Sequence, residues 1–247
     1  GSCMTIPINK HLILVSGKSA SGKSASLMNL VDQPGVMYLN CENGKELPFK
    51  NTFKSFTITD PAQIYQALDE AEGMPAIHTV IIDTLTYLMD MYESTKVLNS
   101  ADTMRAWGNY AQYLKCLMSQ KVAVSTKNII FLAHTADIMN ETEMVSETMV
   151  KVKGSLMANG VESFFTNVIS TKKMPLSKFT DKFAKSDLFT ITEEEEVMQV
   201  KYVFQTRLTK ETVNERIRAP IGMWAMNETF IDNNLQSVIE RLHKFYS

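Results

Sequence analysis

The stretch GKSASGKS, residues 17–24, decides the fold of this 247-residue chain. It matches the pattern G-x-x-x-x-G-K-[ST]; an apolar run at residues 12–15 leads into it, and a helical pattern predicted over residues 24–31 follows. Two glycines let such a loop turn tightly, so that its amides point at an oxygen-rich ligand near a helix N-terminus. The stretch therefore predicts a phosphate-binding loop, a P-loop. The predicted nucleotide-binding residues are Gly17, Lys18, Ser19, Ala20, Ser21, Gly22, Lys23, Ser24 and Ala25.

Two side chains of this loop carry the predicted chemistry, with ATP and Mg²⁺ as cofactors. Lys23 places a positive charge on the β- and γ-phosphates, and the Ser24 hydroxyl ligates Mg²⁺. A second metal anchor is predicted at Asp83, which follows the apolar run at residues 79–82. The carboxyl end of a buried strand lies at the edge of the sheet where ligands bind. Ser24 and Asp83 are thus expected to hold the metal, partly through water; the alternative role of Asp83 is to cap the next helix.

Short apolar runs alternate with helical patterns along the chain. The runs lie at residues 12–15, 36–39, 79–82, 129–133 and 167–170. They suit strands buried on both faces, and their alternation with helices indicates an α/β fold with a doubly wound, mostly parallel sheet. Gly1-Ser2-Cys3 resembles a cloning scar, and no Gly/Ser or Pro linker interrupts the rest. Residues 4–247 are therefore predicted to form one domain.

Composition restricts the function classes. The chain has 25 Lys and Arg against 27 Asp and Glu, a formal net charge of −2, which excludes a polybasic coat for nucleic acid but not a local basic patch. It contains no apolar run of transmembrane length and no signal-peptide pattern. Cys41 and Cys116 are far apart and indicate neither a disulfide framework nor a zinc site. We therefore expect a cytoplasmic protein without a membrane partner.

Two more polar side chains follow predicted strands at the same edge. Glu42 comes just after the run at residues 36–39, where a carboxylate can polarise an attacking water; otherwise it is a solvated loop acid. His134 follows the run at residues 129–133, where it can hydrogen-bond a γ-phosphate and report hydrolysis to the segment behind it. A lone histidine at such a position can also be purely structural.

Two segments break the alternation. The polar segment from Thr135 to Val152 is predicted to be a mobile loop. The segment from Lys172 to Glu196 is predicted to be a basic and acidic insertion or a hairpin, with the acidic run 193–196 as a turn or a solvated strand end. Lysines interleaved with phenylalanines suit single-stranded DNA, or else form a solvated face. The candidate DNA-contacting lysines are Lys151, Lys153, Lys172, Lys173, Lys178 and Lys182.

Along the chain, four predicted strands are followed in turn by the P-loop, a Glu, an Asp and a polar side chain. This order resembles the RecA-like ATPase core. More closely, the chain resembles phage-encoded RecA-like ATPases of the single-strand annealing and recombination class, often labelled "AAA-family ATPase" or "phage nucleotide-binding protein". The stretches that carry this resemblance are residues 16–24, 39–42, 80–85, 107–114 and 130–135. It covers roughly residues 10–225 and implies a DNA-stimulated ATPase of the host cytoplasm that assembles as a ring or short filament.

The resemblance also implies roles for individual residues. Glu42 falls where RecA-like proteins carry the water-activating Glu, His134 where they carry a γ-phosphate sensor, and the segment from Thr135 to Val152 where they contact DNA. Residues 215–222 are similar to the K-x-R segment of RecA-like hexameric helicases, in which two cations reach a neighbouring subunit's γ-phosphate. Surface arginines beside a turn are the alternative reading of that segment. The predicted catalytic residues are Lys23, Glu42, Asp83, His134, Arg216 and Arg218.

Three other function classes stay open. Lys18, at the second loop position, also marks the deviant P-loop of partition-type ATPase dimers, although Ser19-Ala20 stand where those loops usually carry glycines. A small-molecule or nucleotide kinase usually has Arg residues after the metal-anchor strand, and none follows Asp83 directly. A nucleotide-binding adaptor without hydrolysis is the non-enzyme alternative.

Overall fold

The apolar run before the P-loop forms the central strand β1, Leu12–Gly17, which is buried along its whole length. A computed structural model describes residues 9–247; the scar predicted at residues 1–3 lies outside the described residues. The other strands are β2 (Val36–Asn40), β3 (Lys54–Thr57), β4 (Thr79–Asp83), β5 (Asn128–Asn140), β6 (Val145–Val150), β7 (Val168–Pro175), β8 (Val200–Gln205) and β9 (Phe230–Asp232). The α-helices are α1 (Ala62–Glu72), α2 (Leu85–Tyr92), α3 (Thr103–Cys116), α4 (Gly154–Asn159), α5 (Glu193–Met198) and α6 (Leu235–Phe245).

The strands form one mixed sheet in the order β3-β2-β4-β5-β1-β7-β8-β9, with β6 paired to β5. Every pair from β3 to β7 is parallel, and β7-β8 and β8-β9 are antiparallel. Strand β5 lies between β1 and β4, so the P-loop and Asp83 are separated by the strand that carries His134. The predicted mostly parallel α/β sheet is confirmed.

The sheet is covered on both faces, which is why its strands are continuous apolar runs. Leu12, Leu14 and Phe131 face a core shared with helices α1, α2 and α3. Ile13 and Val15 face the opposite core, which includes the apolar face of α6. Alternate residues of one strand therefore supply both cores, as a doubly wound sheet requires.

The helix predicted over residues 24–31 is wrong. The segment holds only a 3-10 helix, Ala25–Leu27. Ser26 Oγ donates to the carbonyl of Lys23 at 2.5 Å, a local bond with which serine competes against regular helix. Asp32 then adopts a left-handed conformation, φ 47°, ahead of the turn into β2. The P-loop is therefore followed by a single tight turn.

The mobile loop predicted between Thr135 and Val152 is wrong as well. Strand β5 continues to Asn140 and pairs antiparallel with β6, so the segment is a hairpin. Asp137 lies opposite Thr148 and accepts a 2.7 Å hydrogen bond from its hydroxyl, a cross-strand pair that helps to fix the register. At the tip, Asn140 Oδ1 accepts from two turn amides. The polar composition that predicts a loop here belongs to a pair of partly exposed strands.

The segment from Lys172 to Glu196 begins within β7, which pairs antiparallel with β8, and residues 176–199 connect the two strands in keeping with the predicted hairpin. The acidic run inside it is neither a turn nor a strand end, because it opens helix α5. Thr192 and Glu195 form a capping box there, and carboxylates in a first helical turn are favoured by the positive end of the helix dipole.

Two observations bear on the predicted location. Within residues 9–247, no helix combines the length and apolar character needed to cross a bilayer. Cys41 is a buried free thiol, in keeping with the expectation that Cys41 and Cys116 do not form a disulfide framework. The cytoplasmic location stays a prediction.

Candidate active site

Strands β1, β2 and β4 end at one edge of the sheet, where β5 passes His134, and this edge forms a cavity of about 630 Å³. Gly17 at the end of β1 lies beside His134 on β5, and Asn40 at the end of β2 lies beside Asp83 on β4. Five predicted side chains, separated by up to 111 positions in the sequence, therefore meet. They are Lys23, Ser24, Glu42, Asp83 and His134.

Glycines and residues with positive φ give the P-loop its shape. A Cβ on Gly17 would lie 2.5 Å from Ser21 Oγ and 2.7 Å from the Thr171 carbonyl, so the position admits only glycine. Ala20 and Gly22 adopt φ values of 60° and 94°, which bend the loop around its own centre. The result is a concave backbone of the kind that binds phosphate.

Lys23 occupies the centre of this loop. Its ammonium donates to the carbonyls of Gly17, at 2.9 Å, and Lys18, at 2.6 Å, and the residue is only 6% exposed. Burial lowers the pKa of Lys23 to about 8, against the opposing charges of Asp83 and Glu42. Neutral carbonyls do not neutralise a buried ammonium, so it can still form charge-assisted hydrogen bonds to an anion. Lys23 therefore fits a polyphosphate.

Asp83 is buried beneath the cavity. The Tyr38 hydroxyl donates to its Oδ2 at 2.5 Å. Burial raises the pKa of Asp83, while the hydrogen bond from Tyr38 and the charge of Lys23 oppose that rise. Thr84, joined to Asp83 by a cis peptide bond, caps α2 by accepting from the Tyr87 amide at 3.1 Å. Since Thr84 fills the capping role, the Asp83 carboxylate is available to a metal together with the Ser24 hydroxyl.

Glu42 is held at the mouth of the cavity by its backbone. Asn40, buried at the end of β2, accepts from the Glu42 amide at 2.8 Å. Burial raises the pKa of the nearby Tyr87 hydroxyl, and the charge of Glu42 and a hydrogen bond to it add to the rise. A partly exposed carboxylate facing the P-loop lysine across the cavity can accept a proton from water.

His134 lines the cavity and has an unsatisfied ring nitrogen. Its Nδ1 is buried without a hydrogen-bond partner, and its ring packs edge-on against Tyr87 at 5.2 Å. Burial, followed by the charges of Lys23, Lys151 and Lys45, lowers the pKa of His134 to about 4, so the imidazole is neutral at pH 7. A buried polar atom without a partner is uncommon, and a ligand oxygen would satisfy it.

Comparison with known proteins gives a family match and a similar solved structure. A family model described as an AAA domain, AAA_24, matches residues 9–200. The chain belongs to this AAA-domain family. Among solved structures, the flagellar accessory protein FlaH from Methanocaldococcus jannaschii is similar at 16% identity over 81% of this chain and 78% of that chain, with a TM-score of 0.32. No curated protein sequence matches.

Two predicted catalytic residues, Arg216 and Arg218, lie beyond the matched range and do not line the cavity of their own chain. Arg216 is clamped within the chain, at 3.1 Å from Glu147 on the β5-β6 hairpin and 3.6 Å from Glu162. Its guanidinium also covers Gly160, where any Cβ would collide with it. Arg218 is exposed, and its backbone pairs with Val168. Arg218 is thus free to reach another molecule, whereas Arg216 would first have to leave two carboxylates.

The candidate DNA-contacting lysines differ in availability. Lys172 donates to Glu215 at 2.8 Å and to Gln205 at 2.6 Å, and Lys153 binds Glu93 at 2.8 Å. Both are occupied by partners within the chain. The exposed candidates outside such ion pairs are Lys151, Lys173, Lys178 and Lys182, whereas Lys153 is exposed but paired.

The hairpin itself carries the wrong charge for phosphate contact. Residues 135–150 contain four carboxylates and no lysine or arginine. Lys18 pairs with one of these carboxylates, Asp137, at 2.9 Å, so the P-loop and the hairpin are joined by an ion pair. Any DNA contact by cations would therefore come from the base of the hairpin and the segment after β7.

Sequence reasoning missed the residues that support this site. Tyr38 and Tyr87 belong to apolar patterns, and nothing in their spacing indicates that they contact Asp83, Glu42 or His134. Asn40 could have been found, because an Asn at a strand end followed by Asn-Gly is a turn signal.

Proposed function

We propose that this AAA domain is a Mg²⁺-dependent ATPase of the DNA recombination and single-strand annealing class, of phage origin, whose active sites are completed by a neighbouring subunit. The observation that carries the ATPase part is the meeting of Lys23, Ser24, Glu42, Asp83 and His134 around one cavity. The recombination role rests on the family resemblance and on the exposed lysines.

The proposed reaction uses the chain's own groups as follows. A water molecule at Glu42 attacks the γ-phosphorus, its proton passes to the carboxylate, and the bond to the β-γ bridging oxygen breaks to release ADP and inorganic phosphate. Lys23 offsets the charge that develops on the phosphate oxygens. His134, neutral and unpartnered at Nδ1, supplies a hydrogen bond to the γ-phosphate.

Mg²⁺ fits the donor set of the same cavity. Ser24 offers a hydroxyl and Asp83 a carboxylate, the hard oxygen ligands that this ion prefers. Tyr38 fixes one oxygen of Asp83 and leaves the other unassigned. When bound, the ion would neutralise phosphate charge; the two side chains would hold it partly through water.

A neighbour's Arg218 is the proposed source of a further cation. The Arg218→Ala variant is expected to hydrolyse ATP about tenfold more slowly with nucleotide affinity intact, since it loses one charge-assisted contact made only in the assembled site. Steady-state turnover and equilibrium nucleotide binding measure the two quantities. Arg207→Ala, which removes another arginine without touching the 215–222 segment, is the control. An unchanged Arg218→Ala rate contradicts the trans role.

The ATPase rate measured against protein concentration, with and without single-stranded DNA, tests the proposal as a whole. We expect the rate per chain to rise with concentration and with DNA, because assembly and DNA both complete the site. The DNA effect should weaken steeply with salt if lysines contact phosphates. A rate that rises with concentration but ignores DNA would favour a partition-type dimer, and binding without turnover would favour an adaptor.

A further inference from the structure

The turn after β2 places a second cation beside Glu42. Asn43 and Gly44 adopt φ values of 50° and 75°, the left-handed pair that a tight two-residue turn requires and that Asn-Gly favours. The Lys45 amide donates to the Glu42 carbonyl at 2.9 Å and closes this turn. Residues at the two ends of such a turn lie side by side. Lys45 Nζ is accordingly 3.7 Å from Glu42 Oε1.

Asn40 fixes both ends of the turn. Its Oδ1 accepts from the Glu42 amide and its Nδ2 donates to the Lys45 carbonyl, each at 2.8 Å. Asn40 is 8% exposed and lies at the end of a buried strand. The backbone positions of Glu42 and Lys45 are therefore set by the sheet, while the Lys45 side chain, 73% exposed, keeps its freedom to swing.

Lys45 adds to the small number of positive charges that line the cavity. Of the cavity-lining residues in the described part of the chain, the cations are Lys23 and Lys45, and the carboxylates are Glu42, Glu46 and Asp83. Lys45 acts on both sides of the site, because its charge lowers the pKa of His134 and counts among the effects that lower the pKa of Asp83. A triphosphate entering the cavity would thus meet a second ammonium from the same chain.

We infer that Lys45 contacts the γ-phosphate of bound ATP and, in doing so, leaves Glu42, so that nucleotide binding frees the carboxylate that activates water. This inference rests on the proposed ATPase function and adds a catalytic residue that the motif comparison does not assign.

Moving the Lys45 ammonium from Glu42 to the γ-phosphate requires little free energy. A partly exposed ion pair at 3.7 Å contributes little stability, so breaking it costs little. A γ-phosphate carries more negative charge than a single carboxylate and draws the ammonium toward it. The freed carboxylate then faces water without a neighbouring cation, which makes it the better proton acceptor.

Affinities for a non-hydrolysable ATP analogue and for ADP, measured by calorimetry with Mg²⁺ on the full chain, test the inference. For Lys45→Ala we expect about a tenfold loss of affinity for the triphosphate, from one lost charge-assisted contact, and no change for ADP. Lys45→Arg should keep the preference for triphosphate. Lys50→Ala, an exposed lysine of the same loop outside the cavity, is the matched control. Lys45→Gln provides a second neutral variant should alanine disturb folding.

The outcomes separate the two claims. Equal losses for both nucleotides in both neutral variants, or no loss in either, would overturn the role of Lys45 while leaving the ATPase intact. Failure of the unaltered chain to bind either nucleotide would remove the proposed function and the inference with it. Selective loss of triphosphate affinity, restored by arginine, supports the inference.

Discussion

Replacing Lys23 with alanine is expected to lower ATP turnover by at least about a hundredfold, the scale on which a preorganised charge stabilises a transition state. The ammonium is 6% exposed and is held by the carbonyls of Gly17 and Lys18 at the centre of the loop. No other cation of the chain is placed inside the P-loop in this way within residues 9–247. Nucleotide affinity should fall together with turnover, because Lys23 contacts the phosphates in the ground state as well.

Steady-state hydrolysis and equilibrium binding check this result, with Lys54→Ala, on the exposed edge strand β3, as the control. The variant should remain folded. Alanine relieves the cost of burying the Lys23 charge, which lowers its pKa, but also removes the donor to the Gly17 and Lys18 carbonyls, so thermal unfolding is measured beside activity. Turnover within a few-fold of the unaltered chain would reject the site assignment.

The pH dependence of nucleotide binding provides a second readout for Lys23. Its pKa in the nucleotide-free chain is about 8, and a bound polyphosphate favours the charged form and raises that pKa. Binding therefore takes up a proton above pH 8, and affinity falls as pH rises through that value. Below pH 8 the lysine is already charged and contributes fully. Lys23→Ala should lose this dependence.

The sequence alone was sufficient to predict that the polar residues after the central strands lie at one edge of the sheet. The apolar runs before Gly17, Glu42, Asp83 and His134 are short and buried, and parallel strands bring their carboxyl ends to one edge. Side chains after these runs must therefore meet, whatever the details of the helices between them. That geometric constraint explains why Glu42, Asp83 and His134 line the same cavity as the P-loop, while their chemical roles stay predictions.

The errors have a different origin. The β5-β6 hairpin and the single turn after the P-loop depend on competition between local hydrogen bonds, such as Ser26 with the Lys23 carbonyl, that apolar spacing does not register. The contact of Tyr38 with Asp83 joins two strands 45 positions apart. Arg216 appeared free in sequence because its partners Glu147 and Glu162 lie on distant elements. Charge partners of this kind follow only from tertiary structure.

Replacing Glu42 with glutamine is expected to slow hydrolysis by about a hundredfold to ten-thousandfold, the usual contribution of a general base, and to leave ATP bound. The amide keeps the size of the side chain but cannot accept a proton from water. The backbone clamp from Asn40 does not involve the carboxylate, so the turn should be preserved. Single-turnover hydrolysis and the nucleotide content of the protein after gel filtration measure the two effects.

Glu46→Gln is the matched control, because Glu46 lines the same cavity but lies outside the turn that fixes Glu42. Both substitutions remove one negative charge from the cavity, so any general electrostatic gain in ATP affinity is shared. A defect in the cleavage step that is confined to Glu42→Gln then reports the loss of a proton acceptor. Similar cleavage rates in the two variants would mean that another group activates water. Glu42 would then have no role in the cleavage step.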